Sequence, residues 1–299
     1  MRLDHRAAAA SLAELVAVRR ATGATISVCL PARDEAATIG AIVAGAAGLV
    51  GAGLVDEIVV ADDGSTDATG AVARAAGAQV VATGVDGSGG TGKGEALWTS
   101  LAASTGDIVC WIDADIRDFD PQFITRLVAP LLMDPAVDFV KGYYRRPFGE
   151  EATGGGRTTE LVARPLLSLF LPELAGVVQP LSGEYAGRRS VLEELPLVQG
   201  WGVDVALLID VARLVGIHRV VQVDLGVRRH RHRPLAELGP QALGVLMAVL
   251  DRSGVDVPTA AELVRFGAGH VSETVVVSAA ERPPLAPLRG HVVDDERAG

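Results

Sequence analysis

Two aspartates directly follow an apolar run in the first half of the chain. The run from Asp107 to Ile112 reads DIVCWI, which is typical of a buried strand, and Asp113 and Asp115 come next. Because side chains alternate along extended backbone, two carboxylates spaced by one residue face the same way. Such a pair can hold Mg²⁺ or Mn²⁺, which prefer oxygen ligands and share their coordination shell with phosphates. The spacing predicts a metal and diphosphate site, although a D-x-D sequence alone is also typical of a polar strand end.

A second acidic motif, DDGSTD, runs from Asp62 to Asp67 and follows the apolar run EIVVA. Its simplest interpretation is a turn in which Asp67 or Thr66 caps the next helix. Asp62 and Asp63 also stand at a strand tip, where a carboxylate can accept hydrogen bonds from a base or a ribose. The two interpretations are compatible.

β-Branched and apolar runs alternate with helical patterns through the first half of the chain. The runs span residues 25–30, 57–61, 79–82 and 107–112, and helices begin near residues 34, 67 and 93. This alternation predicts an α/β fold with a mainly parallel sheet flanked by helices. Such sheets bind ligands beyond the carboxyl ends of their strands, which is where both acidic motifs lie. The arrangement therefore indicates a nucleotide site.

The charge balance argues against nucleic acid as a partner. The formal net charge is −10, so the protein as a whole repels polyanions. One basic cluster, RRHRHR at residues 228–233, is short and better suits a small phosphorylated ligand.

Membrane insertion and export are not expected either. Asp4 and Glu14 interrupt the N-terminal apolar residues, so no signal peptide is recognisable. The uncharged stretch 39–55 contains five glycines, which favours a buried helix ending in a turn over a membrane span. Cys29 and Cys110 lie in apolar strands without metal-ligand spacing, as expected for a reduced, cytoplasmic protein.

Changes in pattern along the chain suggest four regions. We expect an N-terminal helix over residues 1–22 and a nucleotide-sugar-binding lobe over 23–145. A smaller acceptor-binding lobe follows over 146–235, with a strand over 218–223. Residues 236–299 are expected to form one helix and a proline-rich tail.

The motifs together resemble a known enzyme family. PARDEAATIG, DDGSTD and DAD resemble the Rossmann-like GT-A fold of nucleotide-sugar glycosyltransferases. GKGEALW, YRRP, GGGRTTELVARPLL, QPLSGEYAGRR and LGVRRHRHRPL are similar to the actinobacterial glucosyl-3-phosphoglycerate synthases. The similarity extends over nearly all of residues 24–250.

This resemblance implies a reaction and a set of site residues. The reaction is transfer of glucose from UDP-glucose to the 2-hydroxyl of 3-phosphoglycerate, with retention at the anomeric carbon and Mg²⁺ or Mn²⁺ bound. Asp115 and His230 would ligate the metal, and a homodimer is expected. The implied donor-binding residues are Pro31, Ala32, Arg33, Glu35, Asp63, Lys93, Asp113, Ala114, Trp201 and Asp204. Catalysis is assigned to Asp113, Asp115, Asp204 and Lys93.

The acceptor's phosphate is assigned by the resemblance to Gly156, Arg157 and Thr159. A glycine-rich loop that opens a helix exposes N–H groups, and an arginine adds a bidentate charge, so the local chemistry suits a phosphate monoester. A flexible surface loop is the alternative. Arg228 and His232 are further candidates for contacts to the acceptor.

Trp201 and Asp204 stand where the family pattern has Tyr and Glu, so the donor sugar is open. A GDP-mannose-using or dual-donor mannosyl-3-phosphoglycerate synthase remains an alternative, as does a paralogue with another anionic acceptor. A nucleotide-sugar-binding protein without turnover and a nucleotidyltransferase are alternatives of other classes. Glu184 is a further carboxylate near the motifs, with either a functional or a structural role.

Overall fold

The first half of the chain alternates strands and helices, which confirms the α/β fold expected from its sequence. The computed structural model describes residues 2–4, 10–84, 90–145, 147–148, 151–154, 156–228, 235–266 and 272–288. The first elements are β1 (Arg2–Leu3), α1 (Leu12–Thr22), β2 (Ile26–Ala32), α2 (Ile39–Gly51), β3 (Glu57–Asp62), α3 (Thr69–Ala75), β4 (Gln79–Ala82), α4 (Lys93–Ala103), β5 (Ile108–Trp111), α5 (Gln122–Met133) and β6 (Phe139–Arg145).

The second half is less regular. Its elements are β7 (Pro147–Phe148), β8 (Glu151–Gly154), a π-helical turn (Thr159–Ala163), α6 (Arg164–Phe170), a 3₁₀ turn (Pro172–Leu174), β9 (Tyr185–Arg188), α7 (Arg189–Leu192), β10 (Leu197–Val198), α8 (Val203–Val215), a 3₁₀ turn (Ile217–Arg219), β11 (Val220–Val227), α9 (Leu235–Arg252), β12 (Ala260–Phe266), β13 (Ser272–Ser278) and β14 (Glu281–Arg282).

Eight strands form one sheet in the order β1-β11-β6-β9-β5-β2-β3-β4. All neighbours are parallel except β9, which runs antiparallel to both β5 and β6. The carboxyl ends of β2, β3 and β5 therefore meet at one edge. Two strands from residues 146–235, β9 and β11, belong to this same sheet, so the expected acceptor lobe and nucleotide lobe share it.

Both faces of the sheet are covered by helices, and the strands are apolar on both sides. Val28 and Leu30 pack in the core that includes α2 and α5, whereas Cys29 between them packs against α4 and α8 on the other face. This is the alternation expected of a strand buried on both faces. The central strands therefore read as continuous apolar runs.

Three expectations for the secondary structure need correction. Residues 1–22 are not one helix: Arg2–Leu3 pairs with β11, and α1 begins only after Ser11, whose side chain and Glu14 form a capping box. The strand expected over 218–223 runs over Val220–Val227. The expected proline-rich tail contains the antiparallel strands β12 and β13 and the short strand β14, which pairs with β10.

The uncharged segment after residue 39 forms α2, a helix of 13 residues that ends in a turn. Across the ranges that the structure describes, no helix combines the length and apolarity needed to cross a membrane.

Candidate nucleotide-sugar site

A cleft of about 420 Å³ opens at the carboxyl ends of β2, β3 and β5. Its volume is in the range typical of small-ligand sites. It brings together nine of the ten expected donor-site residues, and Asp204 lies behind it. The lining residues are Pro31, Ala32, Arg33, Asp34, Glu35, Asp63, Gly92, Lys93, Ala96, Asp113, Ala114, Asp115 and Trp201.

Asp63, just beyond the end of β3, holds three segments around this cleft. Its buried carboxylate accepts hydrogen bonds from the N–H of Gly92 at 2.9 Å, the hydroxyl of Thr83 at 3.0 Å and the guanidinium of Arg33 at 3.3 Å. Three hydrogen bonds from three different segments fix the position of this carboxylate. Asp63 therefore organises the wall of the cleft.

Asp34 is a lining residue that the sequence analysis missed. Its backbone has a φ of 56°, which is uncommon for a residue other than glycine. Its carboxylate accepts the backbone N–H of Thr66 at 2.7 Å and the Thr66 hydroxyl at 3.0 Å. These hydrogen bonds lower the pKa of Asp34 and tie the loop after β2 to the DDGSTD loop. The available signal was an acidic residue directly after PAR, since Asp tolerates this conformation.

The DDGSTD loop forms a turn before α3, but the N-cap residue of α3 is Ala68 and not Asp67 or Thr66. Asp62 accepts the N–H of Ser65 at 2.9 Å, and Asp67 accepts the N–H of Thr69, the first residue of α3, at 2.8 Å. Asp67 also accepts the N–H of Ala36 at 3.1 Å and so joins the loop after β2. The loop is therefore structural as well as a part of the cleft's surroundings.

Lys93 is the first residue of α4 and lies between two carboxylates. Its ammonium is 2.9 Å from Asp113 Oδ1 and 2.9 Å from Asp204 Oδ2. Burial opposes the charged form, but the attraction of Asp113 and Asp204 outweighs it and raises the pKa of Lys93. Lys93 thus presents a permanent positive charge in the cleft.

Arg228 approaches the aspartate pair from the end of β11. Its buried guanidinium lies 3.2 Å from Asp113, contacts Asp115 directly and is 2.7 Å from Glu184, which is fully buried. Burial raises the pKa of Asp113, but Lys93 and Arg228 overcome this effect and lower it below its usual range. Both Asp113 and Arg228 are therefore charged. Arg228 was expected near the acceptor, and the structure places it on the strand-end aspartates.

Asp204 lies in the first turn of α8, and buried side chains hold it in place. Besides Lys93, its carboxylate accepts the hydroxyl of Tyr185 at 3.1 Å, and it is 5% exposed. The fully buried Lys141 donates to the carbonyl oxygens of Ser182 at 2.8 Å and Asp204 at 3.3 Å. Asp204 therefore acts on the cleft through Lys93 here, whereas Trp201 lines it directly.

The expected acceptor residues lie outside this lining. Gly156, Arg157 and Thr159 come together where the π-helical turn begins, with Gly156 at a φ of 84° and Thr159 buried. The carbonyl of Gly156 accepts the N–H of Glu160 at 3.1 Å. Their assignment to the acceptor's phosphate stays a prediction.

Of the two expected metal ligands, Asp115 lies within the residues that the structure describes. His230 and His232 lie outside them, because the description stops at Arg228 and resumes at residue 235. In the described ranges, no three His, Cys, Asp or Glu side chains are grouped to hold a metal. The partly exposed carboxylate of Asp115 at the cleft's mouth nevertheless suits a hard cation that takes its other ligands from phosphates.

Comparison with known proteins agrees with this geometry. Residues 27–195 match the family model described as glycosyl transferase family 2. The glucosyl-3-phosphoglycerate synthase of Mycolicibacterium smegmatis is 46% identical over 93% of this chain and 94% of its own length, and that of Petrotoga mobilis is 44% identical over 83% and 79%.

Solved structures extend the comparison. The Mycobacterium tuberculosis glucosyl-3-phosphoglycerate synthase in complex with Mn²⁺, UDP and glucosyl-3-phosphoglycerate has a TM-score of 0.86 and 45% identity, covering 94% of this chain and 96% of that one. The same enzyme has been crystallised with Mn²⁺, UDP-glucose and phosphoglyceric acid, and with Mg²⁺ and UDP, each with a TM-score of 0.86. The chain therefore belongs to glycosyl transferase family 2 and, within it, to the glucosyl-3-phosphoglycerate synthases.

Proposed function

We propose that this protein transfers glucose from UDP-glucose to the 2-hydroxyl of 3-phosphoglycerate and retains the anomeric configuration. The observation that carries the proposal is the cleft at the strand ends, which gathers the nucleotide motifs around Lys93 and the aspartate pair. The Mycobacterium tuberculosis relative crystallises with UDP-glucose and phosphoglyceric acid, and with glucosyl-3-phosphoglycerate.

The donor would lie along the edge of the sheet. Pro31, Ala32, Arg33 and Glu35, with Asp63, would surround the uridine, and Lys93 would meet the diphosphate. Asp113 would contact the ribose or support the metal through water, and Trp201 and Asp204 would position the sugar.

Asp115 and His230 would hold Mg²⁺ or Mn²⁺, which stabilises the negative charge of the departing diphosphate. The bond from the anomeric carbon to the phosphate oxygen breaks as the bond to the acceptor's 2-oxygen forms. The hydroxyl proton passes to the departing phosphate oxygen, so Asp204 need not act as a general base.

The acceptor's phosphate would bind at Gly156, Arg157 and Thr159, with Arg228 and His232 nearby. The backbone turn at Gly156 and the positive charge of Arg157 support this assignment. A cytoplasmic homodimer is part of the proposal, and the two free, buried cysteines, Cys29 and Cys110, suit a reducing compartment.

The test is a purified-protein assay with Mn²⁺ or Mg²⁺, either UDP-glucose or GDP-mannose, and 3-phosphoglycerate. Release of nucleoside diphosphate should require the acceptor and should favour UDP-glucose. Preference for GDP-mannose would establish the mannosyl alternative, and release with a different anionic acceptor only would establish a paralogue. Acceptor-dependent release with neither donor would contradict the proposal.

One variant tests the assignment of Arg157 to the acceptor's phosphate. Arg157→Ala should raise the KM for 3-phosphoglycerate at least about tenfold, the cost of one charge-assisted contact, and change the KM for the donor little. Equal increases in the two KM values would show that Arg157 does not bind the acceptor specifically. Size-exclusion chromatography with light scattering tests the dimer.

A further inference from the structure

The short C-terminal strand β14 is connected to the first turn of α4 through the backbone. It pairs with β10, with Arg282 opposite Leu197. Directly after β10, the N–H of Gln199 donates to Ala280 at 2.8 Å, and the carbonyl of Gln199 accepts the N–H of Gly94 at 2.8 Å. None of these C-terminal residues lies within the part matched by the general family model, which ends at residue 195. The connection therefore joins Gly94, inside the matched part, to residues outside it.

The side chain of Arg282 strengthens this connection. Its guanidinium lies 3.7 Å from the ring centroid of Trp98, and its Nε is 3.7 Å from Oε2 of Glu95. Trp98 in turn donates its indole N–H to the carbonyl of Pro283 at 2.8 Å. Glu95 is 1% exposed and also accepts the side-chain amide of Gln199 at 3.1 Å. A buried cation between a carboxylate and an aromatic face is attracted to both, and burial reduces the screening of this attraction by water.

The neighbouring residue, Glu281, makes its contacts on the other side of β14. Its carboxylate accepts a hydrogen bond from Arg252 at 2.7 Å, and Arg252 also pairs with Asp210 of α8 at 2.7 Å. Strand β14 is thus linked to α4 on one side and to α8 on the other. These are the two helices whose first turns carry Lys93 and Asp204, which meet at 2.9 Å beside the cleft.

We propose that Arg282 is a positioning residue of the donor site, which sets the position of the first turn of α4 and thereby of Lys93. The inference rests on the proposed function in that the cleft takes a nucleotide sugar. Arg282 touches neither the cleft nor its ligand, so it acts through Glu95 and Trp98. Without its charge, the buried Glu95 carboxylate loses its cation, and the first turn of α4 must shift to hydrate it.

The test compares Arg282→Met with Arg265→Met. Arg265 makes an ion pair with Glu273 at 2.8 Å between strands β12 and β13, so its variant controls for loss of an arginine in the C-terminal region. Calorimetry with UDP and Mn²⁺ gives the nucleotide Kd, and steady-state kinetics give the KM for each substrate. All measurements are made well below the melting temperature of each variant.

Arg282→Met should raise the UDP Kd and the KM for UDP-glucose about tenfold, which corresponds to a loss of about 1.4 kcal/mol of binding free energy. The KM for 3-phosphoglycerate should stay within about twofold, and Arg282→Lys should recover part of the loss, because it keeps the charge. An unchanged UDP Kd, or equal increases for both substrates, would overturn the assignment.

A second variant covers the case in which Arg282→Met does not fold. Glu95→Gln keeps the side chain's shape and should also weaken UDP more than 3-phosphoglycerate. Combining it with Arg282→Lys should cost no more than the larger single effect, since both act through one contact. Additive losses of UDP affinity would show that Arg282 does not act through Glu95. Failure of the wild type to transfer glucose would reject the proposed reaction, whereas UDP affinity that these variants leave unchanged rejects only the role of Arg282.

Discussion

Replacing Gly94 with alanine tests the packing of α4 against the segment after β10. A Cβ atom on Gly94 would lie 1.7 Å from the carbonyl oxygen of Val198 and 3.1 Å from the carbonyl carbon of Gln199. Side-chain Cβ atoms essentially never come closer than 3.0 Å to such atoms, so the two backbones must separate by about 1.3 Å, the difference between 3.0 Å and 1.7 Å. Both contacted atoms belong to the backbone, so neither can move aside as the flexible end of a side chain would.

The cost can be worked out from the contacts that the shift would break. Gln199 accepts the N–H groups of Gly94 at 2.8 Å and Glu95 at 3.2 Å, each worth about 0.5–1.5 kcal/mol. Overpacking adds about 1–3 kcal/mol, and the better helix propensity of alanine returns about 1 kcal/mol. We expect a net loss of about 3 kcal/mol in the free energy of unfolding, which lowers Tm by roughly 5–10 °C in a chain of this size.

Gly48→Ala is the matched control, since Gly48 lies in α2 with nothing within 4 Å of its added Cβ. It should stabilise the protein by about 0.5–1 kcal/mol. Urea unfolding followed by circular dichroism measures both variants, and calorimetry measures their UDP affinity. Gly94→Ala should also weaken UDP binding, because Lys93 and Trp201 flank the contact. If the two variants unfold alike, the close approach at Gly94 does not exist.

Three further predictions concern charge. Lys93→Met should raise the UDP Kd about tenfold or more, because it removes the ammonium and leaves Asp113 and Asp204 facing the diphosphate. An unchanged UDP Kd would show that Lys93 does not contact the nucleotide. Burial lowers the pKa of Lys141 from 10.5 to about 8, and the native state therefore releases its proton first as pH rises. The wild type should gain about 3 kcal/mol of stability relative to Lys141→Met between pH 8 and pH 10.5, and denaturant unfolding at both pH values should show it. A constant difference would contradict the lowered pKa. Chelation with EDTA should abolish glucose transfer, and added Mn²⁺ should restore it. The Asp115→Asn variant should need a higher Mn²⁺ concentration for half-maximal activity. Activity without any metal would contradict the proposed metal site.

Much of the donor site could be predicted from the sequence, because its residues follow strands. Asp63 and Asp113 come directly after apolar runs, and parallel strands bring such ends to one edge. The lining residues Asp34, Gly92 and Ala96 were missed, since their local patterns are those of ordinary loops and helices. The contacts of Arg228 with Asp113 and Glu184 could not be predicted, because a basic cluster alone does not show which carboxylates it meets.

The α/β class, the four parallel strands β2–β5 at one end of the sheet and the position of the acidic motifs could be predicted from the sequence alone. These features can be predicted because apolar strands and amphipathic helices show their patterns within a few consecutive residues. Which charges pair depends on the tertiary structure, because Lys93 and Asp204, like Arg228 and Asp113, are far apart along the chain. Strand β14 is two residues long and carries no periodicity, so its link to α4 depends wholly on packing between distant parts of the chain.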